Sequence, residues 1–241
     1  MGIDQWRSEE DWPLPDTQYR PYYLQSDGRA NTLDGDGLLA PDPPSEQPAD
    51  VFLYNPRRPV PTVGGQVLLY GANAWGPRDQ RSVEARDDVL CYTTPALDRP
   101  VEVTGPITLV LYAASSALDT DFTGKLVDVY PDGRAMILTE GILRARYRHS
   151  PTSPQPLEPG KVYELHLDLW ATANVFLPGH RIRLEVSSSN FPRFARNSNS
   201  GGEIADEGPQ AYVPAVNRVF HDRERPSHLI LPIIERVGVD S

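Results

Sequence analysis

Apolar and polar residues alternate along several stretches in the second half of the chain. In residues 161–170 the apolar positions are Tyr163, Leu165, Leu167 and Leu169, and the polar positions between them are Glu164, His166 and Asp168. Because successive side chains of a strand point to opposite faces, this pattern predicts a strand with one buried and one solvated face. Similar strands are predicted at 182–186 and 143–147, with Arg181, Arg183 and Glu185, and then Arg144, Arg146 and Arg148, on their wet faces.

Other short runs are apolar at nearly every position, which is typical of strands buried on both faces. They are residues 51–54, 67–70, 89–92, 107–113, 126–130 and 229–234. Prolines and glycines separate these runs, and Pro131-Asp132-Gly133 predicts a tight hairpin. Only residues 79–88 permit a helix, and they are few and charged. About nine strands without a sustained helical period predict an all-β fold with little helix, a jelly-roll β-sandwich.

Composition narrows the class of partner. The 241 residues carry 33 acidic and 23 basic side chains, a net charge of −10. This negative field disfavours nucleic acid and anionic membrane surfaces as partners. The single Cys91 excludes a disulfide within the chain, and no apolar stretch reaches the ~20 residues of a membrane helix. Residues 1–16 lack the features of a signal peptide, so we expect a soluble, cytoplasmic protein.

Few side chains suggest catalysis or metal binding. There is no G-x-S-x-G elbow, no H-E-x-x-H and no paired C-x-x-C, so we expect no catalytic site, metal or cofactor. The serines at 187–189 end a strand and are expected to satisfy backbone groups. Asp119 and Asp121 precede an apolar strand; pairing with arginines is favoured over Ca²⁺ binding or contact with another domain.

Three further polar clusters favour ordinary structural roles. Residues 164, 166 and 168 could hold a divalent ion but more simply form a solvated face. His221, Asp222 and His228 are only loosely grouped. The arginines at 144, 146 and 148 favour salt bridges over a patch for an anion. Trp75 follows small residues in a loop, which suits stacking on a sugar or filling a neighbour's pocket. Trp170 ends an alternating strand and is expected in the core. A free-standing carbohydrate-binding module of galactose-binding-like architecture is therefore the alternative function.

Long strings of the sequence carry a family resemblance. Residues 116–148 (SALDTDFTGKLVDVYPDGRAMILTEGILRARYR) and 171–201 (ATANVFLPGHRIRLEVSSSNFPRFARNSNSG) resemble the C-terminal domain of the cocaine esterase and Xaa-Pro dipeptidyl-peptidase family. So do residues 76–94 (GPRDQRSVEARDDVLCYTT) and 1–15 (MGIDQWRSEEDWPLP). The resemblance covers almost the whole chain and agrees with the jelly-roll prediction.

The resemblance implies a divided protein. Family members are serine hydrolases of esters, amides or N-terminal dipeptides, and their catalytic triad lies in an α/β-hydrolase domain that precedes the sandwich. Residues 1–16 are then the end of that domain and a connecting segment, and residues 17–241 are the jelly-roll domain. No triad residue is carried by this chain, so the resemblance implies a domain inactive alone that docks on the hydrolase domain and helps to wall the pocket for a small ester or peptide.

Two sets of residues follow from the resemblance. The segment that resembles the substrate-pocket wall contains Leu69, Tyr70 and Trp75. The residues expected at the domain interface are Trp6, Trp12, Gly76, Pro77, Asp79, Gln80 and Arg81. An exposed edge of the sandwich could also pair with a second copy, so a homodimer is left open.

Overall fold

The computed structural model describes residues 1–66 and 75–235, which form eleven strands and one short helix within that part of the chain. The strands are β1 (Thr17–Gln25), β2 (Leu38–Ala40), β3 (Asp50–Tyr54), β4 (Leu90–Thr93), β5 (Val101–Ser115), β6 (Asp121–Val129), β7 (Ala135–Arg144), β8 (Tyr163–Phe176), β9 (Arg181–Ser187), β10 (Ala215–Phe220) and β11 (His228–Ile234). The helix α1 covers Arg81–Glu84. The strand predicted at 67–70 lies outside the described residues.

The strands form the two layers of a β-sandwich. In one layer β5 pairs on one edge with β8 and on the other with β10 and then β11; β3 flanks β10, and β1 and β2 follow β11. The second layer has the order β4-β9-β6-β7, and one parallel pairing between β2 and β4 joins the two. Gly124 of β6 faces the side chains of Leu109 and Leu169 from the opposite layer. The predicted all-β sandwich is confirmed.

Two details of the predicted strands are wrong. The alternation at 143–147 is not all strand, because β7 ends at Arg144 and residues 145–147 form a 3-10 turn. The N–H of Ala145 donates to the carbonyl of Thr120 and that of Arg146 to the carboxylate of Asp119, which bends the chain away from the sheet. The wet face predicted for β9 is also wrong at Glu185, which is buried between β4 and β6.

Strand β8 changes phase in its middle. Ile107 of β5 stands opposite both Leu169 and Trp170, since the pairing shifts between Thr108–Asp168 and Pro106–Ala171. Such an extra residue is a β-bulge, and it reverses which positions face the core. Leucines at odd positions are buried before the bulge, whereas even positions from Thr172 to Phe176 are buried after it. The strand therefore continues beyond the end predicted at residue 170.

Within residues 1–66 and 75–235, no helix is long and apolar enough to cross a membrane.

Candidate docking site

The N-terminal segment lies along the second half of β8. The backbone nitrogen of Met1 donates to the carbonyl of Ala173 at 2.8 Å, and the N–H of Val175 donates to the carbonyl of Met1 at 3.2 Å. Gly2 permits this approach, because a Cβ there would lie 2.1 Å from the carbonyl oxygen of Val175. Arg7 fixes the segment further along through two hydrogen bonds of 3.0 and 2.5 Å to the carboxylate of Glu102 on β5.

A cavity of about 620 Å³ opens between this segment and the sandwich. Trp6, Trp12, Leu138 and Ala171 contribute its apolar lining, and Gln66 is among its polar residues. Trp6 is fully exposed and Trp12 is 54% exposed. Large aromatic side chains left in water at a cavity mouth are typical of a surface that contacts a partner.

The other two tryptophans are also exposed and flank this region. Trp75 is 60% exposed, and it precedes Gly76, which pairs with Gly65, the neighbour of Gln66 in the cavity lining. Trp170 is likewise 60% exposed and directly precedes Ala171. The expectation that Trp170 belongs to the core is wrong, because the bulge in β8 places it on the outer face.

The residues on either side of the segment from 66 to 75 are held firmly in place. Gly65 and Gly76 exchange two backbone hydrogen bonds of 2.9 and 3.0 Å. Glu140 is buried on β7 and forms an ion pair with Arg193, whose guanidinium donates a 2.6 Å hydrogen bond to its carboxylate. The same carboxylate accepts a 3.3 Å hydrogen bond from the N–H of Gln66 and another hydrogen bond from Asn190. Trp75 is therefore joined directly to a firmly held residue, Gly76. Leu69 and Tyr70, expected at the pocket wall, lie outside the described residues.

The residues after Gly76 divide into exposed and buried ones. Gly76, Pro77 and Arg81 are at least partly accessible, and Asp79 pairs with Arg81 while accepting a hydrogen bond from the N–H of Ala135. Gln80 is fully buried and bonds only within the fold, so its side chain has no surface to offer a partner. Its effect on an interface is therefore limited to holding its neighbours in place.

The acidic pair predicted to bind arginines does so. Asp119 accepts a 2.6 Å bond from Arg146, and Asp121 accepts bonds of 3.0 and 3.3 Å from Arg144. The amide of Asn197 donates to both carboxylates. Burial raises the pKa of Asp121, and the bonds from Arg144 and Asn197 oppose that rise.

The serines at the end of β9 bond partly to backbone groups, as predicted, and partly to side chains. Ser187 bonds to Thr123 at 2.7 Å, Ser188 accepts a bond from Asn217 at 2.7 Å, and Ser189 accepts the N–H of Val60. These contacts occupy all three hydroxyls inside the protein.

The polar clusters considered for metal binding adopt other arrangements. On the outer face of β8 the exposed His166 contacts Glu164 at 2.9 Å. His221 turns inward, Asp222 pairs with Arg225, and His228 packs against Tyr23. In the described ranges, no three His, Cys, Asp or Glu side chains are arranged to hold a metal ion.

A buried Ser–His–Asp cluster escaped the sequence analysis. His221 Nε2 lies 2.8 Å from Asp50 and 3.1 Å from Ser26, and Tyr92 donates to Asp50 at 2.7 Å. Burial would raise the pKa of Asp50, but the bonds from His221, Ala30 and Tyr92 lower it overall. Serine and aspartate share one imidazole nitrogen, so the cluster lacks the relay geometry of a triad, in which they contact opposite nitrogens. It braces β3 and β10 internally.

A second missed cluster lies beneath α1. Lys125 and Glu185 approach to 3.5 Å, and Arg183 pairs with Glu84 at 2.7 Å. All but Arg183 are sealed from solvent. Burial raises the pKa of Glu185 to about 7, against the opposing effect of Lys125. The residues are spread over β6, β9 and α1, which no local motif connects.

The fold and its exposed aromatic cavity define a class of protein, an accessory β-sandwich domain in which the main polar clusters bond internally and the tryptophans are at least half exposed. A family model described as the X-Pro dipeptidyl-peptidase C-terminal non-catalytic domain matches residues 1–230, and the chain belongs to this family. It is a non-catalytic C-terminal domain of this group of hydrolases.

Relatives place the domain within longer proteins. The chain is 54% identical over 236 residues to the cocaine esterase of Rhodococcus sp. (strain MB1 Bresler), covering 98% of this chain and 41% of that one. Among solved structures, an aminopeptidase from a marine sediment Thaumarchaeota archaeon superposes with a TM-score of 0.86 at 32% identity, covering 97% of this chain and 39% of that one. An alpha-amino acid ester hydrolase gives 0.84 at 30%, covering 96% and 40%. The chain thus spans about two fifths of the relatives that it matches.

Proposed function

We propose that this domain docks on the α/β-hydrolase domain of its parent protein and forms part of the wall of that domain's substrate pocket. The parent is proposed to be a serine hydrolase that cleaves a small ester, amide or Xaa-Pro peptide. Three relatives are named as an esterase, an ester hydrolase and an aminopeptidase, which supports this range of acyl substrates.

One observation carries the proposal: all four tryptophans of the chain are at least half exposed, and two of them, Trp6 and Trp12, line one cavity. Exposure of the four indole rings loses several kcal/mol of hydrophobic stabilisation, because full burial of a large apolar side chain contributes roughly 1.5–3 kcal/mol. A partner that covers them recovers that energy. Trp6 and Trp12 are assigned to the domain interface with Gly76, Pro77, Asp79 and Arg81, while Trp75, with Leu69 and Tyr70, is assigned to the pocket wall.

A rigid wall contributes selectivity without supplying a nucleophile. Closing a pocket excludes water and fixes the shape that the acyl group must match. No cofactor takes part in this role. A cytoplasmic location is also part of this proposal. Pairing of two copies through β3, an edge strand among the described strands, is tested by light scattering.

A fluorophosphonate probe tests the division of labour. We expect intact-mass analysis to find no adduct on this chain and a stoichiometric adduct on the parent protein. An adduct on the chain alone would overturn its non-catalytic role. In the parent, Trp75→Ala is expected to change kcat/KM severalfold for esters with a bulky acyl group, while small acetyl esters change little. Equal effects on both would argue against a pocket wall.

Dye binding and glycan titration address the exposed surface directly. The chain alone should bind a hydrophobic dye more strongly than an ordinary globular control does. A carbohydrate-binding module instead predicts saturable glycan binding that disappears in Trp75→Ala.

A further inference from the structure

Trp170 has a backbone conformation that its residue type disfavours. Its φ is +62°, in the left-handed region. For a bulky side chain this conformation costs on the order of 1–2 kcal/mol, which is why glycine usually occupies such positions. Residues held in this way persist only where the surrounding structure enforces them, and they concentrate at functional surfaces.

The neighbouring residues do enforce it. The carboxylate of Asp168 accepts the N–H of Trp170 at 2.7 Å, and the hydroxyl of Thr139 donates to the carbonyl of Leu169 at 2.5 Å. Gly141 brings β7 close to the bulge, because a Cβ there would lie 2.0 Å from the carbonyl oxygen of Asp168. Both sides of the bulge are therefore fixed before any partner arrives.

The backbone strain at Trp170 does not stabilise the isolated domain. The indole is 60% exposed, so the bulge directs a large apolar side chain into water while Leu169 beside it fills the core. A glycine or a small polar residue would serve the same bulge at lower cost. The arrangement is explained if another protein surface covers the indole.

The N-terminal segment identifies which surface that is. Met1 pairs with β8 at Ala173 and Val175, three and five residues from Trp170, or about 10 and 17 Å along a strand. Since this chain spans about two fifths of its relatives, a preceding domain would reach the sandwich at this part of β8. Trp6 and Trp12 lie on the cavity at the same place.

We infer that Trp170 is a preorganised anchor of the interdomain interface, inserted into the hydrolase domain of the parent and held ready by Asp168 and Thr139. The inference rests on the proposed function, because the partner is the same hydrolase domain. Rigid, desolvated tryptophans near the centre of an interface commonly dominate its energy.

Trp170→Gly distinguishes a role in docking from a role in folding. The substitution should stabilise the isolated domain but weaken the coupling between the domains of the full-length parent. In this chain alone the substitution relieves the left-handed strain, so the midpoint of thermal unfolding should rise by a few degrees. In the full-length parent it removes the anchor, so calorimetry should show the single coupled transition of the wild type splitting into two. Trp170→Phe should give an intermediate coupling, and Leu53→Ala, at an apolar side chain on β3 that is 55% exposed, should leave both proteins unchanged.

The outcomes distinguish the two claims. If wild-type parent already unfolds in two independent transitions, or if its sandwich follows no hydrolase domain, the docking function and the anchor both fail. If the wild type is coupled and Trp170→Gly leaves that coupling intact, the anchor alone is overturned. A fall in the unfolding midpoint of the isolated chain with Trp170→Gly would also overturn it, because the residue would then be stabilising the domain itself.

Discussion

The ammonium group of Lys125 donates a 3.0 Å hydrogen bond to the side-chain oxygen of Gln80, and both side chains are buried. The amide nitrogen of Gln80 donates in turn to the carbonyls of Val63 and Arg78. One glutamine therefore joins the strand β6 in the second layer to the chain on both sides of the segment from 66 to 75. The surface proposed for docking is set by this internal contact.

Replacing Gln80 with leucine should destabilise the domain. The substitution keeps the volume but removes one hydrogen bond from the buried ammonium group of Lys125, which keeps its 3.5 Å contact with Glu185, and one donor from each of the carbonyls of Val63 and Arg78, at a cost of about 2–3 kcal/mol. Urea unfolding measures the loss. Gln210→Leu, at an exposed glutamine, serves as the control and should change little. Equal stability of the two variants would contradict the role assigned to Gln80.

Glu185 predicts a pH dependence of stability. Burial raises the pKa of its carboxyl from the ordinary 4.5 to about 7, in a site also facing Lys125, Glu84, Arg183 and the thiol of Cys91. Below pH 4.5 the group is protonated whether the chain is folded or unfolded, so it costs nothing. Between pH 4.5 and 7 only the unfolded chain ionises freely, and stability falls by about 3 kcal/mol at most.

Comparison with Glu185→Gln isolates this group from the other carboxylates. The wild type should lose stability relative to the variant as the pH rises from 4.5 to 8, in urea melts at matched ionic strength. A difference that stays constant over this range would show that Glu185 titrates at its ordinary pKa.

Arg146→Met should be among the most damaging substitutions. It removes the partner of Asp119, which remains buried with only the amide of Asn197 and one backbone N–H as donors. Breaking a buried ion pair from one side typically costs about 3–5 kcal/mol, a large part of the 5–15 kcal/mol of a typical domain. Thermal unfolding checks this, and Arg134→Ala on the exposed hairpin should leave the midpoint within experimental error.

Two glycines with the same backbone conformation form a matched pair. Gly65 and Gly133 have φ of +87° and +86°. A Cβ at Gly133 meets no atom within 4 Å, whereas one at Gly65 would lie 2.0 Å from Oε1 of Glu140. Gly133→Ala should cost only the left-handed strain, about 1–2 kcal/mol. Gly65→Ala should cost clearly more in urea unfolding, because Glu140 must also move; equal costs would mean that Glu140 adapts freely.

Patterns of two-residue period were sufficient to predict the fold class and many central strands. The first half of β8, β9 and β11 carried strong alternating or continuous apolar signals. Strand β1 was missed because Thr17–Gln25 is half-buried along most of its length and contains Pro21. Strand β10 was missed as well, and so was β2, which has only three residues. Trp170 was misplaced because a bulge reverses the alternation, and alternation alone does not reveal where an extra residue enters.

The contacts within the site depend on long-range geometry. His221 meets Asp50 across 171 residues, and Arg193 meets Glu140 across 53. No spacing in one sequence signals such pairs, because the fold rather than the local chain brings them together. The arginine pairing of Asp119 and Asp121 was predictable, since oppositely charged residues flank the two ends of one predicted hairpin.

The paired bonds between Gly65 and Gly76 have a consequence for how this family can diversify. They hold Gly65 and Gly76 together through backbone atoms alone, so the sandwich on either side of this pair does not depend on a particular sequence between them. A protein in which only the residues between Gly65 and Gly76 are exchanged should keep the sandwich intact. The same two glycines are therefore suitable boundaries for exchanging the segment between relatives.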